Sequence, residues 1–339
     1  LSTVLDITLL ILGIAILYWG AEWLIRGSAS LARAMGVKPL VIGLTVVAYG
    51  TSAPELAVAT KTALAHSQPI ALGTVIGSCA ANISLILGLT ALIAPPTVDG
   101  RIIRREVPVL VGSAIAVPIL FLDGVLSRFE GALLIGCAVV FTIVTLTVSA
   151  RLDLDMEDDE PEKAGASTSM TRAQTAEESG VAIGGGGRPR SGHVMSILMS
   201  SLGLALLLAG TYLFVGGGRR IAADLDMSDR MLGLTVISIG CALPELIGSL
   251  VAASRGQSAL AVGSVIGSNL LNVFLVLGVT AYLRPIHLGE RMHIVDLVGL
   301  VCITLLGVLT LRGSRKITRL EGAVLVAAYV AFIVCAAIF

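Results

Sequence analysis

Charge is scarce in this chain: 14% of its 339 residues are Asp, Glu, Lys or Arg, against 55% hydrophobic. So little polar material cannot cover a soluble globule of that size, which predicts an integral membrane protein with no nucleic-acid partner. Cysteine is sparse too. Cys79, Cys137, Cys241, Cys302 and Cys335 fall inside apolar runs, with no CxxC and no paired framework. Four of them read as small packing residues, and Cys241 belongs to a motif taken up below. The four histidines, His66, His193, His287 and His293, lie near the ends of the runs and read as surface residues. An H-E-x-x-H run is absent, and no serine is matched by a mid-membrane histidine, which excludes an intramembrane hydrolase. An enzyme is not expected.

What the chain does have is ten apolar runs of the length a bilayer needs, five on each side of one long polar segment. None reads as a barrel strand. The first run is too long for a signal peptide and should remain as a helix, although Leu1 suggests a trimmed start. The expected fold is all-α and membrane-embedded, with a first five-helix repeat over 1–150, a linker over 151–192 and a second repeat over 193–339. The linker opens DLDMEDDEPE and ends in GGGG, a composition that cannot bury enough surface to order itself. A regulatory cation sensor built on Asp153, Asp155, Glu157, Asp158 and Asp159 would lack the Gly turn and distal Glu of an EF-hand, so a disordered tether is expected. Lys and Arg in the short loops number 11 on the linker's side and 7 on the other. That bias places the linker in the cytoplasm and the N-terminus outside, in a cell inner (plasma) membrane.

Residues 43–93 begin GLTVVAYGTSAPEL and residues 233–283 begin GLTVISIGCALPEL; 21 of the 51 aligned positions are identical. The shared residues include Thr45/Thr235, Pro54/Pro244, Glu55/Glu245, Ser78/Ser268 and Asn82/Asn272. Equivalent spans are an odd number of crossings apart, so the two repeats must be inverted, and such repeats are typical of transporters with a polar site between their halves.

Only Glu55 and Glu245 lie near mid-depth of a span; Asp6, Glu22, Glu106, Glu130, Asp296 and Glu321 fall toward span ends. A carboxylate at mid-depth costs at least ~2.5 kcal/mol and needs a partner. No mid-span Lys or Arg supplies one, and Glu22 can pair with Arg26 four residues on. A cation that comes and goes would complete the site. Protonated packing carboxyls are the bland alternative, and two of them at equivalent, proline-preceded positions make it the weaker one. Pro54 and Pro244 should break their helices, freeing carbonyls as ligands and aiming a helix N-terminus at each glutamate. Asn82 and Asn272 add amide oxygens, with Ser78 and Ser268 one turn before them on the same face. Gly73 and Gly77, with Gly263 and Gly267, form GxxxG patterns that let helices approach closely.

With GTSAPEL at 50–56, GCALPEL at 240–246, GSCAAN at 77–82 and GSNLLN at 267–272, the chain resembles the sodium/calcium exchanger family of calcium:cation antiporters. The resemblance implies a ten-helix inverted-repeat fold that exchanges calcium for sodium at a central cluster of cation sites. It makes Glu55 and Glu245 the principal calcium ligands, with Thr51, Ser52 and the carbonyls of Ala48 and Ser238 beside them and Ser78, Ser268, Asn82 and Asn272 completing the set. Where the family usually has Thr and Ser before the second Pro-Glu, this chain has Cys241 and Ala242. A thiol is a poor ligand for a hard ion, so the driving ion and the stoichiometry stay open. Cys79 stands where the other repeat has Asn269, a position that reads as packing. Asn272, where potassium-dependent relatives have Asp, argues against potassium dependence.

The expected function is sodium-driven calcium export by alternating access, with no resident cofactor and with calcium and sodium as transported ions. A proton-driven antiporter, or one for magnesium or manganese, is the alternative, and a cation channel a distant one. The protein is expected to be a monomer or weak homo-oligomer.

Overall fold

In the computed structural model, residues 2–35, 39–98, 100–157, 191–288, 294–313 and 316–338 are described. Ten long helical segments follow one another: α1 (Ser2–Met35), α2 (Leu40–Leu64), α3 (Gln68–Ile93), α4 (Gly100–Leu120), α5 (Arg128–Glu157), α6 (Ser191–Asp224), α7 (Asp229–Ser254), α8 (Ser258–Leu283), α9 (Ile294–Gly313) and α10 (Arg319–Ile338). Among the described residues nine are long and apolar enough to span a bilayer; α4 differs in carrying Arg101, Arg104, Arg105 and Glu106 in its first two turns. The expected linker begins later than the sequence suggests, because α5 continues to Glu157 and α6 starts at Ser191. Asp158 and Asp159 lie outside the described residues.

The central helices are α3 and α8, almost wholly buried, whereas α1, α5, α6 and α10 turn most of their surface outward. Small residues explain the close packing at the centre. A Cβ on Gly77 would fall 2.5 Å from the Leu234 carbonyl oxygen, and one on Gly267 would fall 2.9 Å from that of Leu44. Each GxxxG face therefore presses an Asn-bearing helix onto the Glu-bearing helix of the other repeat, so the halves interlock.

The inversion is visible in α1 against α6. Gly13 meets Gly210, Gly20 meets Gly203 and Leu207, and Gly27 meets Ser200, a pairing that only antiparallel helices can make. Two short strands, β1 (Val125–Leu126) and β2 (Ile286–His287), pair antiparallel on one face, and Thr97 pairs with Lys316 at the corresponding place in the other half.

Three of the span-end acids, Asp6, Glu22 and Asp296, pair with arginines far away in sequence, whereas Glu130 and Glu321 accept from Ser127 and Thr318 at the starts of their own helices. Asp6 pairs with Arg220, and Glu22 Oε1 accepts from both Arg26 and Arg255 at 2.5 Å. Arg230, one of the seven charges counted on the outer side, is buried and holds Asp296 through two bonds. Of the histidines expected at the surface, His66 is exposed and faces Arg284, and His287 is exposed as well. The His193 side chain and all of His293 lie outside what is described.

Candidate ion-binding site

Helices α2 and α7 do not run as plain α-helices into the middle of the molecule. Each widens into a π-helical turn, Gly43–Val47 in α2 and Gly233–Ile237 in α7, closed by Ala48 N–H donating to the Gly43 carbonyl and Ser238 N–H to that of Gly233. Further π-turns occupy Ala81–Ile86 and Asn272–Leu277, at Asn82 and Asn272. Such turns shift side-chain register and loosen backbone pairing, which is why they gather at functional sites.

The prolines act differently in the two repeats, which corrects the expected break at both. In α2 the helical run stops at Ser52 and restarts as Ala53–Leu64, placing Glu55 in a first turn where the helix dipole favours an anion. In α7 the helix Ser238–Ser254 passes through Pro244 without interruption. The residues before each proline differ. Thr51 Oγ1 donates to the Val47 carbonyl at 3.0 Å and reaches that of Ala48 at 3.4 Å, competing with the backbone, while Cys241 and Ala242 have no hydroxyl to do so. Each proline still withholds an N–H, so the carbonyls of Gly50 and Gly240 lose their usual partner.

Every side chain singled out from the sequence is buried here: Glu55, Glu245, Ser78, Ser268, Asn82 and Asn272 at 0% exposure, Thr51 and Ser52 at 2%. Ala48 and Ser238, whose carbonyls were expected to contribute, are equally inaccessible. The Glu55 and Glu245 carboxylates stand close enough to repel one another, with Ser78 beside Glu55 and Thr51 and Ser268 beside Glu245. The repeats touch directly: Thr51 Oγ1 lies 3.2 Å from Ser268 Oγ, and Ser78 Oγ donates to the Ser238 carbonyl at 3.4 Å. Cys79 and Asn269 also meet, Asn269 Nδ2 donating to the Cys79 carbonyl at 3.2 Å, while Asn269 Oδ1 has no hydrogen-bond partner among the described residues.

Among the described residues, no carboxylate oxygen of Glu55 or Glu245, neither amide atom of Asn82 or Asn272, and not the Ser52 hydroxyl has a hydrogen-bond partner. A buried polar group left unpaired costs about 1–3 kcal/mol, and a charged one more, so a protein seldom gathers several unless a ligand satisfies them. The donor set is oxygen throughout, with two formal negative charges. No group of three or more His, Cys, Asp and Glu residues that could hold a metal occurs among the described residues. Hydroxyls, amides and carbonyls would therefore supply most of the oxygens, which suits a hard cation wanting six to eight of them rather than a tightly held structural metal.

Sequence reasoning passed over three neighbours of the cluster. Ser249, buried one turn after Glu245, has an unpartnered hydroxyl; its Glu-x-x-x-Ser spacing was the available signal. Tyr329 of α10 is buried against Ser238. Cys241 lies within electrostatic reach of both glutamates.

Comparison with known proteins agrees with this architecture. The family model described as sodium/calcium exchanger protein matches residues 5–147 and again 195–337. The putative antiporter CaxA of Alkalimonas amylolytica is 34% identical over 326 residues, 95% of each chain. The sodium/calcium exchanger MaX1 of Methanosarcina acetivorans is 28% identical over 96% of this chain and 97% of its own. Among solved structures, the sodium-calcium exchanger NCX_Mj soaked with 10 mM Na+ and 10 mM Sr2+ superposes with a TM-score of 0.76 at 30% identity, covering 98% of each chain.

Proposed function

Because the chain belongs to the sodium/calcium exchanger family of membrane cation antiporters, we propose that it exports calcium in exchange for sodium, with Glu55 and Glu245 as the shared ligands. The observation that supports this reading is the pair of mutually repelling, unpartnered carboxylates, one from each inverted half, with Ser78, Thr51 and Ser268 beside them; Ser52, Asn82 and Asn272, whose buried polar atoms are also unpartnered, join the proposed set. The carbonyls of Ala48 and Ser238 complete the proposed set.

The electrostatics give a reason for obligatory exchange. Without counter-ions the cluster holds two negative charges in a low-dielectric interior, the most expensive state for a barrier to close over. One divalent ion, or several monovalent ions, brings it near neutrality. Loaded states can therefore cross and bare ones cannot. The moving part in this reading is the α1–α6 pair, held together by its glycine contacts and sliding against the core that carries the two repeats. Orientation follows the charge bias, with the N-terminus outside and the linker cytoplasmic.

Cys241 and Ala242 support a second reading, in which protons or another divalent ion such as magnesium or manganese takes part, because the second repeat lacks the hydroxyls that Thr51 and Ser52 give the first. Calcium-45 uptake into proteoliposomes separates the two. Uptake driven by an imposed sodium gradient and not by a pH gradient is expected; uptake indifferent to sodium rejects sodium as the driving ion. Conduction that persists with no ion on the opposite side would indicate a channel instead.

A further inference from the structure

A cavity of about 440 Å³ opens between the second half of α2 and α6, lined on one wall by Pro54, Ala57 and Val58 and on the other by Leu208, Val215 and Gly216. Its size falls within the range of small-molecule pockets, about 300–1,000 Å³. At one end stand Lys61 and Arg219, both exposed, near the ends of helices that run the same way, so their charges sit together at one membrane face. Neither forms an ion pair among the described residues, and no acidic residue lines the cavity. Two uncompensated positive charges over an apolar slot are a strange lining for a protein whose cargo is cationic.

One more feature leaves the slot open to a ligand. At Gly216 a Cβ would meet nothing within 4 Å, so this wall faces open space rather than a packed neighbour. We propose that the slot binds a single-chain anionic amphiphile, a long-chain carboxylate, with its tail along the apolar walls toward Pro54 and its headgroup between Lys61 and Arg219. Positive side chains at a membrane face over a buried apolar path are complementary to that ligand and repel a cationic one of the same length.

The effect on transport rests on the antiport reading: a chain wedged between α2 and α6 holds the sliding pair against the core next to Glu55 and slows exchange. The site itself is tested independently by photolabelling the full-length protein in liposomes with a diazirine derivative of hexadecanoate and mapping the label by peptide mass spectrometry. Label is expected within residues 54–62 and 208–219, displaced by hexadecanoate and not by hexadecyltrimethylammonium. Gly216→Phe, whose Cβ meets nothing within 4 Å and whose ring takes up room in the slot, should remove the label. Lys61→Ala with Arg219→Ala should lower it about thirtyfold, since each such charge contributes roughly 1 kcal/mol near a membrane surface. Hexadecanoate should slow exchange in the wild type, whereas Gly216→Phe, wedged in the same slot, should exchange slowly with or without it. Label spread over the whole outer surface, or unchanged in Gly216→Phe, overturns the site. Stronger labelling of the slot by a diazirine phosphatidylglycerol overturns the single-chain assignment. Failed labelling with intact exchange sinks the slot alone, and specific labelling without sodium-driven calcium flux sinks the antiport reading alone.

Discussion

Thr51 and Ser268, 217 residues apart, bring their hydroxyls to 3.2 Å across the boundary between the two halves. Inversion pairs the equivalent positions, Cys241 and Ser78, on the other side of the centre, but there Ser78 turns to the Ser238 carbonyl instead. One flank of the cluster thus has a hydroxyl pair and the other a thiol, and hard cations should bind unequally on the two.

Restoring the missing oxygens should strengthen sodium coupling. Cys241→Thr with Ala242→Ser supplies two hydroxyls, each comparable to a neutral hydrogen-bonding group of about 1 kcal/mol, or roughly fivefold in affinity. Sodium dependence of calcium-45 flux should shift to lower concentration. An unchanged half-saturating sodium concentration would show that the asymmetry is without consequence.

The two glutamates should be equally indispensable. Glu55→Gln or Glu245→Gln keeps the volume and removes one of the two charges that neutralise a divalent ion. Losing one member of a buried charge pair costs about 3 kcal/mol, two orders of magnitude in affinity. Each variant should fold, by its melting profile in detergent, and lose calcium exchange; near-normal transport in either contradicts the assigned role.

How far the sequence could be read depends on the range of each interaction. The spans and the repeat were legible because hydropathy and self-similarity are local signals, and the acids at mid-depth stood out because nothing along their own spans could neutralise them. The π-turns before Ala48 and Ser238 were not legible: GLTVV and GLTVI are ordinary helical strings. Nor was the role of Arg230, since its partners Asp296 and the Ala336 carbonyl belong to α9 and α10. The glycines of α1 and α6 were readable in principle. Gly13, Gly20 and Gly27 recur every seventh residue, as do Gly203, Gly210 and Gly217. The proline breaks were half right, because a proline removes one hydrogen bond and that loss alone does not part a helix.

Arg230 and Asp296 should stabilise the second half as a unit. Their bonds measure 2.7 and 2.6 Å, and Arg230 also donates to the Ala336 carbonyl at 2.9 Å. The first repeat has Leu40 in place of Arg230, and Glu106, the counterpart of Asp296, pairs among the described residues with Arg105 at 3.5 Å. Arg230→Met alone should cost about 3–5 kcal/mol, because it strands a buried carboxylate, whereas adding Asp296→Leu should recover most of the loss. Thermal unfolding in detergent measures both. A single variant as stable as the wild type would show that the pair contributes nothing.

The contact between α1 and α6 should matter more for transport than for folding. A Cβ on Gly203 would overlap the backbone of Leu24 and come within 2.8 Å of the Gly20 carbonyl oxygen. Gly203→Leu must therefore prise the two helices apart, an overpacking expected to cost about 1–3 kcal/mol. Gly136→Leu is the control, since a Cβ there meets nothing within 4 Å. If the pair slides as one body, Gly203→Leu loses most of its calcium-45 flux while keeping a cooperative melt, and Gly136→Leu keeps both. Wild-type flux in Gly203→Leu would mean that α1 and α6 can move separately, and the sliding pair would have to be abandoned.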